Sequence, residues 1–217
     1  MMEEPKASQR ATDEYYAGSA VVHQFIEAVR AALAAEPDRP QLVERIKPAF
    51  QRLLAAGDWL PDALSRVNDS SGMGGGIGQY LLYRAADRSL TLSSLVVPPG
   101  SSTPIHDHLA WGLVGLYRGE QREEVFRQAA GDIDAGEVEL ELVEERSLGP
   151  GELYALLPPE NDIHRVTTIS DVASISIHLL GSDVGCTVRH RYRPESRAVV
   201  PFRSGYSNVP CPDSPHE

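Results

Sequence analysis

The stretch 104-PIHDHLAWG-112 decides how the rest of the chain is read: two histidines flank one aspartate, and a tryptophan and a glycine follow. On an extended strand, residues i and i+2 share a face, so His106 and His108 would point one way and Asp107 the other. Two imidazoles on one face can hold one cation, and a third donor has to come from elsewhere in the chain. Downstream, 149-GPGELYALLPPENDIHRV-166 offers a turn, a strand, a bend at Pro158 and Pro159, and then His164. His106, His108 and His164 are therefore the candidate metal ligands, and Asp107 is expected to be a structural hydrogen-bond acceptor.

The flanking sequence is strand-like. Short runs at 79–85, 89–98, 109–119, 120–128, 137–149, 151–158, 163–169 and 172–181 are separated by turn signals. Alternation is clearest in 137-EVELELVEE-145, where Val138, Leu140 and Leu142 fall on one face and the glutamates on the other, solvated face. About eight such antiparallel strands suit a jelly-roll barrel.

Ahead of Trp59 the period is helical. Ser19 can cap a helix carrying Val22, Phe25, Ile26, Val29 and Leu33, stopped by Pro37. A second helix carries Leu42, Val43, Ile46, Phe50, Leu53 and Leu54, with Pro40 in its first turn, Gly57 at its end, and Pro48 expected to kink or split it. The glycine-rich 72-GMGGGIG-78 lacks the phosphate-loop pattern and is expected to connect helices and barrel. The expected division is an irregular N-terminus over 1–14, a helical segment over 15–70, a barrel over 71–193 and an irregular tail over 194–217 pinned by Phe202 and Tyr206.

Composition narrows the function. With 217 residues, 41% hydrophobic and 24% charged, the chain can bury the core of one domain. A net charge of −11 supplies no basic surface for nucleic acid or anionic membrane. Two cysteines, Cys186 and Cys211, are too few for a disulfide framework or a thiolate zinc site, and they fit a reducing cytosol, with Cys186 as a small buried hydrophobe. The acidic start 1-MMEEPKASQRATDEYY-16 is unlike a signal peptide, and no long apolar run occurs, so the expected location is cytoplasmic.

With these residues in place, 100-GSSTPIHDHLAWGLVGLYRG-119 resembles the first cupin motif, its glycines and histidines matched by Gly100, His106, His108 and Gly119. The second cupin motif is matched loosely by Pro150 and Gly151, and its histidine by His164. Where many cupins carry an acidic ligand, this chain has Gly112. A three-histidine cupin without that acid is similar to the thiol dioxygenases of the cysteine dioxygenase family. The likeness is greatest to their bacterial 3-mercaptopropionate branch, which shares the HxHxxWG of His106, His108, Trp111 and Gly112. In the animal enzymes a cysteine near position 112 is cross-linked to a tyrosine. The family's Ser-x-His-x-Tyr is met by Ser176 and His178, with Leu180 in the tyrosine's place. Arg189, eleven residues after His178, and Gln79, 27 residues before His106, match the family's carboxylate-binding arginine and a recurring glutamine. The segment 201-PFRSGYSN-208 is similar to the family's C-terminal signature, and the resemblance spans roughly residues 20 to 209.

The resemblance implies a mainly β protein: a cupin jelly-roll (double-stranded β-helix) barrel with an N-terminal pair of α-helices. It implies Fe(II) on His106, His108 and His164, and oxidation of a small carboxylated thiol to a sulfinate with O2. In that reading His178, oriented by Ser176, is catalytic, Arg189 and Gln79 bind the carboxylate, and Trp111 is either core or a substrate contact. Arg191 and Arg193 remain alternatives to Arg189, and Tyr83, Tyr154 or Tyr192 could substitute for the missing phenol. The partners are then a small thiol carboxylate and O2, with no nucleic acid or membrane, and association into a homo-oligomer is left open. Two other readings stand beside this one. The first is a different metal-dependent cupin, an isomerase or carbon-oxidising dioxygenase, and the second is a non-catalytic ligand-binding cupin.

Overall fold

A computed structural model describes residues 12–36 and 38–211. The helix stop expected at Pro37 and most of the N-terminus expected to be irregular lie outside these residues.

Two helices form where the three-and-four spacing places them. Helix α1, Ala20–Ala35, begins at Ser19, whose hydroxyl accepts from Val22 N, and buries Val22, Phe25, Ile26, Val29 and Ala32. Helix α2, Arg39–Ala55, is capped by Asp38, whose carboxylate accepts from Gln41 N at 3.1 Å. It buries all six residues of the expected stripe. Pro48 does not split this helix. The carbonyl it deprives of a partner belongs to Glu44, and both residues lie on the exposed side, where water can bond it.

Among the described residues, twelve strands follow the expected texture, with additions at both ends. The first sheet holds β1 (Glu14–Tyr15), β2 (Gly78–Arg84), β3 (Thr91–Val97), β10 (Ser174–Leu180), β5 (Gly112–Arg118) and β8 (Leu153–Leu156), in that spatial order. The second holds β11 (Arg189–Arg193), β12 (Ala198–Phe202), β7 (Glu137–Leu148), β6 (Gln121–Asp132), β9 (Ile163–Thr168) and β4 (Ile105–His106), with β4 pairing back to β11. All pairings between these strands are antiparallel, and the two sheets form a jelly-roll barrel with the helix pair at its N-terminal end.

Strands β2, β3 and β10 are buried along their whole length because the sheet is covered on both sides. In β10, Ile175, Ile177 and Leu179 join the core beneath the helices, while Ser176, His178 and Leu180 take the alternate positions toward the barrel. Gly115 of β5 faces α2, and a Cβ there would meet Leu54 and Phe50, so the missing side chain lets the helix lie against the sheet. Gly119, at φ +74, ends the same strand where a side chain would strike Ser170 and Ser174.

Three expectations need correction. The tail is not irregular throughout: Ala198–Phe202 forms β12, paired with β11 along its length and with β7 at Ala198–Glu137. The alternation in β7 buries Val138 but leaves Leu142 49% exposed, because the register shifts at Val125/Phe126 and Gln128/Ala130 as the β6–β7 hairpin runs out into solvent. Cys186 is not a free buried thiol but is bonded to Cys211 across a separation of 25 residues. Its partner arrives because residues 203–208 cross back over β2, a path that local sequence does not announce. Among the described residues, no helix is long and apolar enough to cross a membrane.

Candidate metal centre

His106 ends the two-residue strand β4 and pairs directly with His164 of β9, so two of the three imidazoles arrive through one ladder rung. His108 follows after Asp107 turns away, and Leu109, at φ +55, bends the chain toward β5. The ligand atoms of His106, His108 and His164 lie within 4.8 Å of one another, and all three residues are buried.

Each ring is held by its other nitrogen. His106 Nδ1 meets Pro104 O at 2.9 Å, His108 Nδ1 meets Asp162 O at 3.2 Å, and His164 Nδ1 meets Glu123 Oε1 at 2.7 Å. A ring that donates from Nδ1 carries its lone pair on Nε2, so all three present that nitrogen to the common point. His164 Nε2 is buried and has no partner, an arrangement that costs free energy unless something electropositive sits there. Burial, reinforced by neighbouring histidines and Arg189, pushes His106 well below the ordinary histidine value and lowers His108, keeping both neutral at physiological pH.

Two carboxylates behind the triad were not singled out from the sequence. Glu123 is fully buried, accepts from His164 and from Arg146 Nε at 2.6 Å, and is held below the usual carboxylate range by these partners despite its desolvation. Asp162 accepts from the backbone N–H groups of His108 and Leu109 at 2.9 and 3.2 Å. Glu123 was legible in principle, since Gln121, Glu123 and Val125 alternate toward the barrel. Asp162 lies in a turn and gave no such signal. Asp107 is the structural acceptor expected, bonded to His190 N, His190 Nδ1 and Tyr192 Oη at 2.8, 2.6 and 2.9 Å.

A small cavity opens beside His106 and His108, lined further by Gln79, Ser93, His178, Leu180 and Arg189 among others. The cavity spans about 260 Å³, part of it open to solvent. Arg189 is 1% exposed; it donates to Asp107 O at 2.6 Å and to Ser204 Oγ at 2.9 Å, lies 4.5 Å from the Phe202 ring, and leaves Nε without a partner. Burial lowers its pKa to about 10 against the opposing pull of nearby Asp107, and no carboxylate lines the cavity itself. Gln79 Oε1 is likewise buried without a partner. Ser176 Oγ and His178 Nε2 share a 2.9 Å hydrogen bond, and burial keeps His178 well below its ordinary value.

The structure thus brings together every sequence-derived site residue except Trp111. That indole packs against the helix-side core with Arg39 at 5.2 Å from its ring, outside the cavity, because its side chain leaves the barrel beside Gly181. No tyrosine lines the cavity: Tyr83 bonds Arg30 and Asp13, Tyr192 bonds Asp107, and Tyr154 stands behind His164 at 3.4 Å from Nδ1. Gly112 and Leu180 are direct partners in the β5–β10 ladder.

No family model matches the chain. Among solved structures it is similar to peruvianin-I, a cysteine peptidase from Thevetia peruviana latex, at 19% identity over 60% of this chain and 77% of that one, with a TM-score of 0.42. A recombinant oxalate oxidase in complex with glycolate matches at 17% identity over 59% of this chain and 62% of that one, less than two thirds of its length, with a TM-score of 0.40. A cupin-2 domain from Rhodospirillum rubrum matches at 15% identity over 48% and 59%, with a TM-score of 0.37.

Proposed function

We propose that this protein is a mononuclear non-haem iron dioxygenase that converts the sulfur of a small carboxylated thiol, of the 3-mercaptopropionate or cysteine type, to a sulfinate using O2. The observation that carries the reading is a buried guanidinium, its Nε unpartnered, in a cavity that no carboxylate lines and that two of three convergent imidazoles wall. The donor set fits iron(II): three neutral nitrogens on one face leave coordination positions open, although imidazole also suits zinc, copper and nickel. Bound to His106, His108 and His164, iron(II) would supply the acidity that makes the thiol a thiolate and the redox chemistry with O2.

The remaining roles fall to the chain itself. Arg189 donates to the substrate carboxylate through its unpartnered Nε–H and its remaining N–H groups, forming a charge-assisted pair inside the cavity. Gln79 adds a neutral hydrogen bond once its amide turns its nitrogen inward. His178, held by Ser176, stays neutral beside the reacting groups and can fix a water where the resembling enzymes have a phenol. The tight cavity favours ligands of a few heavy atoms. Pairing of Gly112 with Leu180 supports the resemblance, since these match the positions cross-linked in the animal enzymes.

Leu180 also favours a second reading, another metal-dependent cupin enzyme acting on a small carboxylate, because the hydroxyl expected beside the sulfur is absent. Anaerobic loading with iron(II), then O2 uptake with a panel of thiols and mass detection of products, separates the two. The proposal expects both atoms of labelled O2 on sulfur. Oxidation or isomerisation of a carbon acid with no thiol turnover would replace it with the second reading.

A further inference from the structure

The C-terminal segment 203–211 forms part of the cavity's support. Ser204 Oγ accepts from Arg189, and Ser204 O accepts from Gly72 N at 2.6 Å, next to the cavity-lining Met73. Ser207 N donates to Gln79 O at 2.6 Å and its hydroxyl accepts from Gln79 N, while Asn208 bonds both backbone groups of Leu81 at 2.9 and 3.0 Å. Tyr206 donates to Asp183 at 2.8 Å and packs on Gly185, flanking the cavity residue Val184. One strap therefore holds the anchoring arginine and the backbone of the glutamine. Its far end is fastened by Cys211 to Cys186, three residues before Arg189, and both cysteines are partly exposed beside a cleft lined by Ser182, Thr187 and Arg203.

We propose that Cys186–Cys211 is a thiol-exchange site, opened by a dithiol reductant, that latches this strap against the cavity. A thiolate of the reductant attacks one cysteine sulfur and the S–S bond breaks. The reductant's second thiolate then displaces the cysteine from the mixed disulfide. Two electrons pass to the protein, two protons end on Cys186 and Cys211, and the reductant leaves as its own disulfide. The open strap keeps only hydrogen bonds of modest net strength, so its local opening becomes more frequent while the barrel stays folded. The inference rests on the strap geometry and stands whether or not the thiol dioxygenase reading does.

Amide hydrogen exchange on oxidised protein, dithiothreitol-treated protein and the Cys186→Ser/Cys211→Ser variant tests it. The Leu81, Gly205 and Ser207 amides should exchange at least tenfold faster in the latter two, with β3 and β10 amides unchanged. Equal exchange in all three forms would overturn the proposal. So would oxidised, folded protein that retains two free thiols.

Discussion

At the scale of single residues, the histidines do their work through what stands behind them. Glu123 is anchored by Arg146 and fixes the ring of His164, so Glu123→Gln should weaken divalent-metal binding by about 10–100-fold, read by chelator competition. An unchanged affinity would reduce Glu123 to a folding contact. Arg189→Ala should raise the KM for a carboxylated thiol by about 10–100-fold and leave neutral thiols much less affected. Equal effects on both would remove Arg189 from the carboxylate. Two positions were left open or missed for a common reason. Trp111 has helix-side packing and Asp162 a turn position, and neither follows from residue type. By contrast His106, His108 and His164 were readable because period-two geometry and a motif point the same way.

At the scale of elements, the helix pair and the sheet meet at a glycine. Gly115→Ala would push a methyl into Leu54 and Phe50, and a cost of about 1–3 kcal/mol is expected in denaturant unfolding. A neutral result would mean α2 can shift without penalty. Both helices were legible because their apolar stripes are long and capped by Ser19 and Asp38, whereas β11 and β12 were not. The run 189-RHRYR-193 is strongly polar for a strand and becomes one only because β4 and β12 flank it. Propensity yields there to tertiary pairing. The hairpin of β6 and β7 shows the reverse: its alternation is clean in sequence, but the register shifts of the bulges and the lack of a covering layer leave its outer half in solvent.

For the whole molecule, the barrel stores neutral histidines in a dry interior. His106, His108 and His178 are all pushed below the ordinary value of 6.5, chiefly by burial. Below about pH 6.5 the unfolded chain therefore binds more protons than the folded one, and metal-free protein should lose stability as pH falls from 7 to 5. Thermal melting across that range checks it, and a flat or rising Tm would contradict the burial. The chain's path was legible from β2 to β10; the added edge strand β1 and the closure by β12, the strap and the disulfide depend on contacts across distant parts of the chain. The central claim is that three Nε2 atoms hold one cation, and anaerobic iron(II) titration tests it most directly. The account predicts one iron per chain in the wild type and at least a hundredfold weaker binding in His106→Ala and His164→Ala variants that remain folded. Absence of binding, or binding that survives both substitutions unchanged, would contradict it.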